Sequence, residues 1–195
     1  MNIKVVNQQK DIVRVIINDP KTYNSLSTKN LNDLIRVFKK LDKDQKVKVI
    51  ILEGTGKRFS AGHNLKEVKG LKKRKKYQKL FNLCSKLMLQ IVEGRKPVIA
   101  KVHGAAYAAG CQLVASCDLA YSTKDALFAT PGVNIGLFCS TPMVALSRLV
   151  KNKHAMEMLL TGDFIDTDKA KSIGLINNSF KEDELFNEIN LALKL

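Results

Sequence analysis

"KVHGAAYAAGCQLVASCDLAYS", residues 101–122, carries Gly, Ala and Cys where a core segment ordinarily carries Leu, Ile or Val. Small side chains let one backbone approach a second surface closely, and that surface is either another element or a ligand. The stretch continues a strand, "PVIAKVHG", and opens a helix near Gly110. "DLAYST" and "LFAT" follow as further strands. Each strand here leads through small residues into another element, which is the rhythm of an α/β chain.

The same rhythm extends outward in both directions. "DIVRVIIND" reads as a strand that turns at Asn18-Asp19-Pro20. Leu31, Leu34, Ile35, Phe38 and Leu41 recur at helical spacing within "TKNLNDLIRVFKKLDKD". "VKVIILEG" is a buried strand that ends on a glycine. "KRFSAGHNLKEV" is a loop entering a short helix, which Asn64 caps and Glu67 completes as a capping box. Residues 75–93 form a long amphipathic helix closed by Gly94. Beyond Pro142, "MVALSRLV", "KHAMEMLLTG" and "DTDKAKSIG" are helical, then "LINNSF" is a strand, and a helix runs from Asp183. Strands alternating with helices predict an α/β fold with largely parallel pairing.

At 195 residues the chain fits one domain, 1–195, with enough length to bury a sizeable core. No apolar run is long enough to span a bilayer. The N-terminal residues enter "IKVV" and "IVRVII" without a signal or transit pattern, so a cytoplasmic protein is expected. Cys84, Cys111, Cys117 and Cys139 have no CxxC spacing and lie among apolar residues. They read as reduced core thiols, and no metal site is expected. The net charge of +15 calls for an anionic partner: nucleic acid, an acidic membrane surface or a phosphorylated small molecule. "KGLKKRKKYQK" (69–79) concentrates that charge, although a solvated helix face would look the same.

Two segments share one design, a strand, a loop of small residues and a helix start: "FSAGHN" (59–64) and "AAYAAGCQ" (105–112). Helix starts carry unpaired N–H groups. Two such groups aimed at one point would hold an oxyanion or enolate, each donor worth a few kcal/mol. Tight packing of helix on sheet uses the same residues, so neither loop decides the matter alone.

The blocks "NSLS" (24–27), "FSAGHNLKEV" (59–68), residues 96–122, "FATPGVNIGL" (128–137) and "MEMLLTGDFIDTDKAKSIGLIN" (156–177) stand in one order along the chain. In order and spacing they resemble the enoyl-CoA hydratase/isomerase, or crotonase, superfamily. The resemblance implies a spiral of ββα units with stacked sheets flanked by helices. It implies an acyl-CoA thioester as partner, with coenzyme A as part of the substrate and no tightly bound cofactor. It puts the first oxyanion-hole N–H on His63 and the second on Ala109. Ala61, Gly62, Leu65, Lys66 and Gly110 would lie beside the bound thioester. Lys66, Lys69, Lys72, Lys73, Arg74, Lys75 and Lys76 become candidate contacts for the coenzyme A phosphates.

Hydratases of the family use two glutamates. The corresponding positions here are Gln112 and Gly132, and neither can take a proton near neutral pH. The loop position where other members place an acid is Ser140. Hydration by the two-glutamate route is therefore not expected. What surrounds the two amides is polar and unionised: His63, Gln112, Thr130, Asn134, Ser140 and Tyr107. The departures resemble the enoyl-CoA hydratase domain-containing subgroup, and also the acyl-CoA decarboxylases of the superfamily. Three readings stand: an enzyme working through enolate stabilisation, a catalytically inactive acyl-CoA binder, and a nucleic-acid binder. Against the last, the basic stretch holds one aromatic residue, Tyr77. The family's C-terminal helical tail, which builds a homo-trimer or dimer of trimers, has no counterpart before Leu195, so a truncated helical region is expected.

Overall fold

The computed structural model describes residues 2–8 and 11–193. The strands are β1 (Ile3–Asn7), β2 (Ile12–Ile17), β3 (Val49–Gly54), β4 (Val98–Val102), β5 (Ala105–Tyr107), β6 (Leu119–Thr123), β7 (Leu127–Ala129) and β8 (Asn178–Phe180). The helices are α1 (Thr28–Lys43), α2 (Leu65–Gly70), α3 (Arg74–Val92), α4 (Ala109–Ala115), α5 (Ser140–Leu149), α6 (Asn152–Thr161), α7 (Thr167–Ser172) and α8 (Glu182–Ala192). One sheet has the order β1-β2-β3-β4-β6-β8, and β5 pairs with β7 in a second, two-stranded sheet. Among the strands of the described residues, β1 and β2 pair antiparallel and every other pair is parallel. The predicted mainly parallel α/β fold is thus the one observed.

Both faces of β2, β3 and β4 are covered, which is why these strands read as apolar runs, whereas the edge strand β1 is largely exposed. Val13, Val15, Ile17, Ile50, Leu52, Val98, Ala100 and Val102 face the main core with Leu31, Leu34 and Phe38 of α1 and Leu80, Leu87 and Ile91 of α3. Ile12, Ile51 and Ile99 point the other way, against Leu185 and Ile189 of α8. The alternation of Ile50, Ile51 and Leu52 between these two clusters is the two-residue period of a strand. On the α8 face, Glu53 is 4% exposed and is held by Arg14, whose Nε donates at 2.8 Å, and by Lys101, whose Nζ donates at 3.0 Å. Sharing one buried carboxylate between two cations keeps all three groups paired.

Asn64 caps α2 as expected, its side chain accepting from Lys66 N at 3.1 Å and Glu67 N at 3.2 Å. The predicted capping box does not close. Glu67 turns instead to α1, where its carboxylate accepts from Thr28 N at 3.0 Å and from the Thr28 hydroxyl. Thr28 offers two donors at a helix start, and a return to the Asn64 N–H would offer one. The helix predicted over 75–93 spans Arg74–Val92, and the one predicted near Gly110 begins at Ala109.

Candidate functional site

β3 and β4 are adjacent and parallel, with Glu53 opposite Lys101, so the loops that leave their carboxyl ends emerge side by side. The two loops are then stitched together. Phe59 N donates to His103 O at 3.0 Å, Ser60 N to Ala105 O at 3.1 Å and Tyr107 N to Ser60 O at 2.9 Å. Ser60 and Ala106 form a parallel bridge. The two small-residue stretches singled out in the sequence are therefore neighbours in space.

The "NSLS" segment lies beneath the first loop and fixes it. Ala61 N donates to Tyr23 O at 3.0 Å, Leu26 N to Gly62 O at 2.7 Å and the Ser60 hydroxyl to Asn24 O at 2.9 Å. Asn24 is fully buried at φ 55, and its amide donates to Thr55 O and Arg58 O, each at 2.7 Å. These contacts span more than thirty positions of sequence, so no local pattern announces them.

Small residues are required where the loops meet. A Cβ on Gly62 would stand 2.7 Å from Tyr107 O and 3.0 Å from Ala109 N, and one on Gly110 would stand 2.4 Å from Ser60 O. Ala108, immediately before the predicted second donor, adopts φ 49 and ψ −117. That conformation is rare for a residue with a side chain and costs on the order of 1–3 kcal/mol. It is held by Ala108 N donating to Ala129 O at 2.9 Å, and by Gln112 N donating to Ala108 O at 3.0 Å. Among the described residues, neither His63 N–H nor Ala109 N–H has an acceptor. Two unpartnered amide donors on loops in contact can bind an oxygen that gains negative charge.

The His63 ring sits in the wall of the first loop. Its Nδ1 lies 3.3 Å from Leu26 O; because a carbonyl only accepts, the proton is on Nδ1. Nε2 is buried without a partner among the described residues, and Phe81 packs edge-on at 5.3 Å. Burial pulls the imidazole pKa below 6.5 and outweighs the Leu26 carbonyl and the Glu67 charge, which push it up. The ring is therefore neutral at pH 7.

The remaining predicted positions divide. Gln112 is 4% exposed and lines a cavity between α3, α4 and α5. Gly132 is buried in the 3-10 turn Pro131–Ile135, where a Cβ would stand 2.3 Å from Leu137 O and 2.7 Å from Cys139 Sγ. Ser140 is exposed and opens α5, so Thr141 rather than Ser140 lines the cavity. Thr130 does not join the polar surroundings of the loops, because its buried hydroxyl is spent on Met158 O at 2.8 Å. Asn134 is exposed. Tyr107 packs on Phe164 at 5.1 Å and beneath Arg58 at 5.4 Å. Leu65, Lys66 and Lys69 are exposed on α2, Lys72 and Lys73 are exposed in the link to α3, and Arg74, Lys75 and Lys76 are exposed on its first turn. None of these cations forms an ion pair among the described residues. The described residues contain no cluster of three or more His, Cys, Asp or Glu suited to a metal ion. They also contain no helix long and apolar enough to cross a membrane.

Comparison with known proteins gives the family of the chain. The enoyl-CoA hydratase/isomerase family model matches residues 7–194. The mitochondrial enoyl-CoA hydratase domain-containing protein 3 of Xenopus laevis is 44% identical over 194 residues, 99% of this chain and 66% of the relative. Its human counterpart is 45% identical over 190 residues, 96% of this chain and 63% of the relative. The chain thus spans slightly less than two thirds of the length of these relatives. The crystal structure of an enoyl-CoA hydratase from Mycobacterium smegmatis superposes with a TM-score of 0.97 at 45% identity, covering 100% of this chain and 76% of that one. Both curated relatives are named as mitochondrial proteins, which overturns the expectation of a cytoplasmic one. By sequence match and by fold, the chain belongs to the enoyl-CoA hydratase/isomerase family.

Proposed function

We propose that the chain binds an acyl-CoA thioester with the thioester oxygen between the main-chain N–H groups of His63 and Ala109, and stabilises the enolate of that acyl group. The observation that carries this reading is the pair of unpartnered amides on loops that touch at Gly62 and Ala109. Each such donor is worth about 3–4 kcal/mol to a developing oxyanion in a site shielded from water. Strain at Ala108 supports the reading, because a backbone held away from its relaxed conformation commonly marks a functional turn. The exposed cations from Lys66 to Lys76 supply a positive field for the phosphates of coenzyme A.

No carboxylate stands at position 112 or 132, so enolate stabilisation here is separated from proton transfer by two glutamates. That separation fits two outcomes, a reaction whose acyl group needs no strong base and retention of the thioester without turnover. The test is infrared difference spectroscopy of an acyl-CoA carrying a ¹³C label at the thioester carbonyl. Polarisation by two donors lowers the carbonyl stretch on binding. Binding with an unshifted stretch, or no binding at all, overturns the proposal.

A further inference from the structure

Gln112 is a buried polar side chain at the end of the second loop. Its Oε1 accepts from the Cys84 thiol at a loose 3.9 Å, and its Nε2 has no acceptor among the described residues. A primary amide nitrogen carries two donors, which are left free for a ligand in the cavity that the side chain lines. The side chain lines a cavity of 510 Å³ between α3, α4 and α5. Met88, Leu89 and Val92 of α3 and Val144 and Leu149 of α5 give the cavity an apolar side, while Asp118 and Arg148 stand in the rest of its lining. Leu89, Val92, Val144 and Leu149 are 44–61% exposed along this groove. From Ser85 to Val92 the groove follows α3 for about 10 Å, at 1.5 Å per residue.

We infer, on the strength of the reading above, that Gln112 is a specificity-determining residue for a 3-oxoacyl thioester, its amide donating to the oxygen on the third carbon. Gln112 follows Ala109 by one turn of α4, about 4.5 Å along the axis. Two C–C bonds carry the acyl chain roughly 2.5 Å beyond the thioester carbon. A hydrogen bond of about 2.9 Å closes the rest of the distance. Nε2 only donates, so it matches a carbonyl oxygen, which only accepts. A saturated acyl group offers the amide nothing but C–H. A malonyl group places an acceptor at the same carbon but ends there, leaving the apolar groove empty. A 3-oxoacyl chain supplies the acceptor and continues into the groove. It also suits a site without carboxylates at positions 112 and 132, because a carbon between two carbonyls releases its proton far more readily than one beside a single thioester.

The test compares 3-oxooctanoyl-CoA, octanoyl-CoA and malonyl-CoA by calorimetry on the whole chain. The expected order has 3-oxooctanoyl-CoA at least about tenfold tighter than either other ligand, through the satisfied amide donor against octanoyl-CoA and through the apolar chain in the groove against malonyl-CoA. Gln112→Met keeps the volume and removes the donors. It should bind octanoyl-CoA and 3-oxooctanoyl-CoA with equal affinity, having lost the tenfold preference. Equal affinity of the natural chain for octanoyl-CoA and 3-oxooctanoyl-CoA overturns the inference and leaves thioester binding intact. Tighter binding of malonyl-CoA than of 3-oxooctanoyl-CoA also overturns it, in favour of a carboxylate acceptor. Failure of all three ligands to bind removes the acyl-CoA reading and this inference together. The comparison on the natural chain is decisive by itself should the Met variant not fold.

Discussion

The carboxylate of Glu67 accepts the Thr28 N–H at 3.0 Å, so the helix that follows the first loop is tied to the start of a helix 39 positions earlier. Ser27 caps the same helix, accepting from Asn30 N at 3.2 Å. Two acceptors thus serve two of the unpaired donors at the start of α1, and one of them comes from a distant element. The arrangement anchors α2 beside the "NSLS" segment, whose Leu26 N–H donates to the Gly62 carbonyl.

Replacing Glu67 with Ala should therefore lower stability by about 1–2 kcal/mol, the range for losing an acceptor at a helix start. A urea titration measures it as a shifted midpoint with an unchanged slope. Glu67→Gln keeps a carbonyl acceptor and should recover part of the loss. An Ala variant as stable as the natural chain would show that the tie contributes nothing.

Glycines at the loop contact and on the surface should respond in opposite directions. Gly110→Ala places a methyl 2.4 Å from Ser60 O, so the two loops must separate. The expected cost is about 1–3 kcal/mol or more, as for overpacking a core. Gly70 ends α2 with nothing within 4 Å of its missing Cβ. Gly70→Ala should be neutral or stabilise by about 0.4–1 kcal/mol through the unfolded chain. Thermal or urea unfolding of the two variants side by side provides the measurement.

His63 makes stability depend on pH. Burial holds its folded-state pKa below 6.5, so between that lowered value and 6.5 the unfolded chain binds more protons. The contribution is fully present above pH 6.5. It is lost as pH falls through the window and levels off below the folded-state value. Stability measured from pH 8 down to pH 5 should fall more steeply for the natural chain than for His63→Gln, which has no titrating ring. Parallel curves for the two proteins would contradict this.

The architecture was legible wherever the signal is local. Leu31, Leu34, Ile35, Phe38 and Leu41 did line the buried face of α1, and the "VIILEG" and "VIAKV" runs were central strands covered on both sides. The neighbouring loops were legible through their small residues and family resemblance, because Gly62 and Gly110 are needed where the loops touch. What stayed hidden depends on partners far away in sequence. Glu67 carries the signature of a capping box and is recruited by Thr28. Thr130 reads as a polar wall residue, but its hydroxyl holds the carbonyl of Met158. Ser140 and Thr141 are adjacent, and only the helical phase of α5 decides that Thr141 lines the cavity.

The cysteines, read as core thiols, should be unreactive in the folded protein. Burial pushes the Cys84 and Cys111 thiols up to about 12, and it raises Cys117 and Cys139 as well. At pH 8 the thiolate fraction that reacts is correspondingly small. Iodoacetamide at pH 8 should leave Cys84 and Cys111 unlabelled in the native protein, while all four cysteines become labelled in urea. Mass spectrometry assigns the sites. Rapid native labelling of Cys84 or Cys111 would show that the core around α3 and α4 opens readily.

Restoring the two glutamates should not restore hydration, and the reason is steric at one position only. Gln112→Glu exchanges an amide for a carboxylate of nearly equal size within an existing cavity. Gly132→Glu has no comparable room, because the first side-chain carbon would lie 2.3 Å from Leu137 O and 2.7 Å from Cys139 Sγ. The turn over Pro131–Ile135 and the segment leading to α5 would have to move, carrying Cys139 out of the core. Gln112→Glu alone should fold, while the double variant should be destabilised by several kcal/mol, the scale of severe core disruption. Hydration of crotonyl-CoA, followed by loss of the enoyl absorbance, should be no faster in the double variant than in Gln112→Glu. A double variant that keeps the natural thermal midpoint and hydrates crotonyl-CoA at least a hundredfold faster would show that this turn yields readily. The loss of the second acid would then be a matter of side chain alone rather than of backbone.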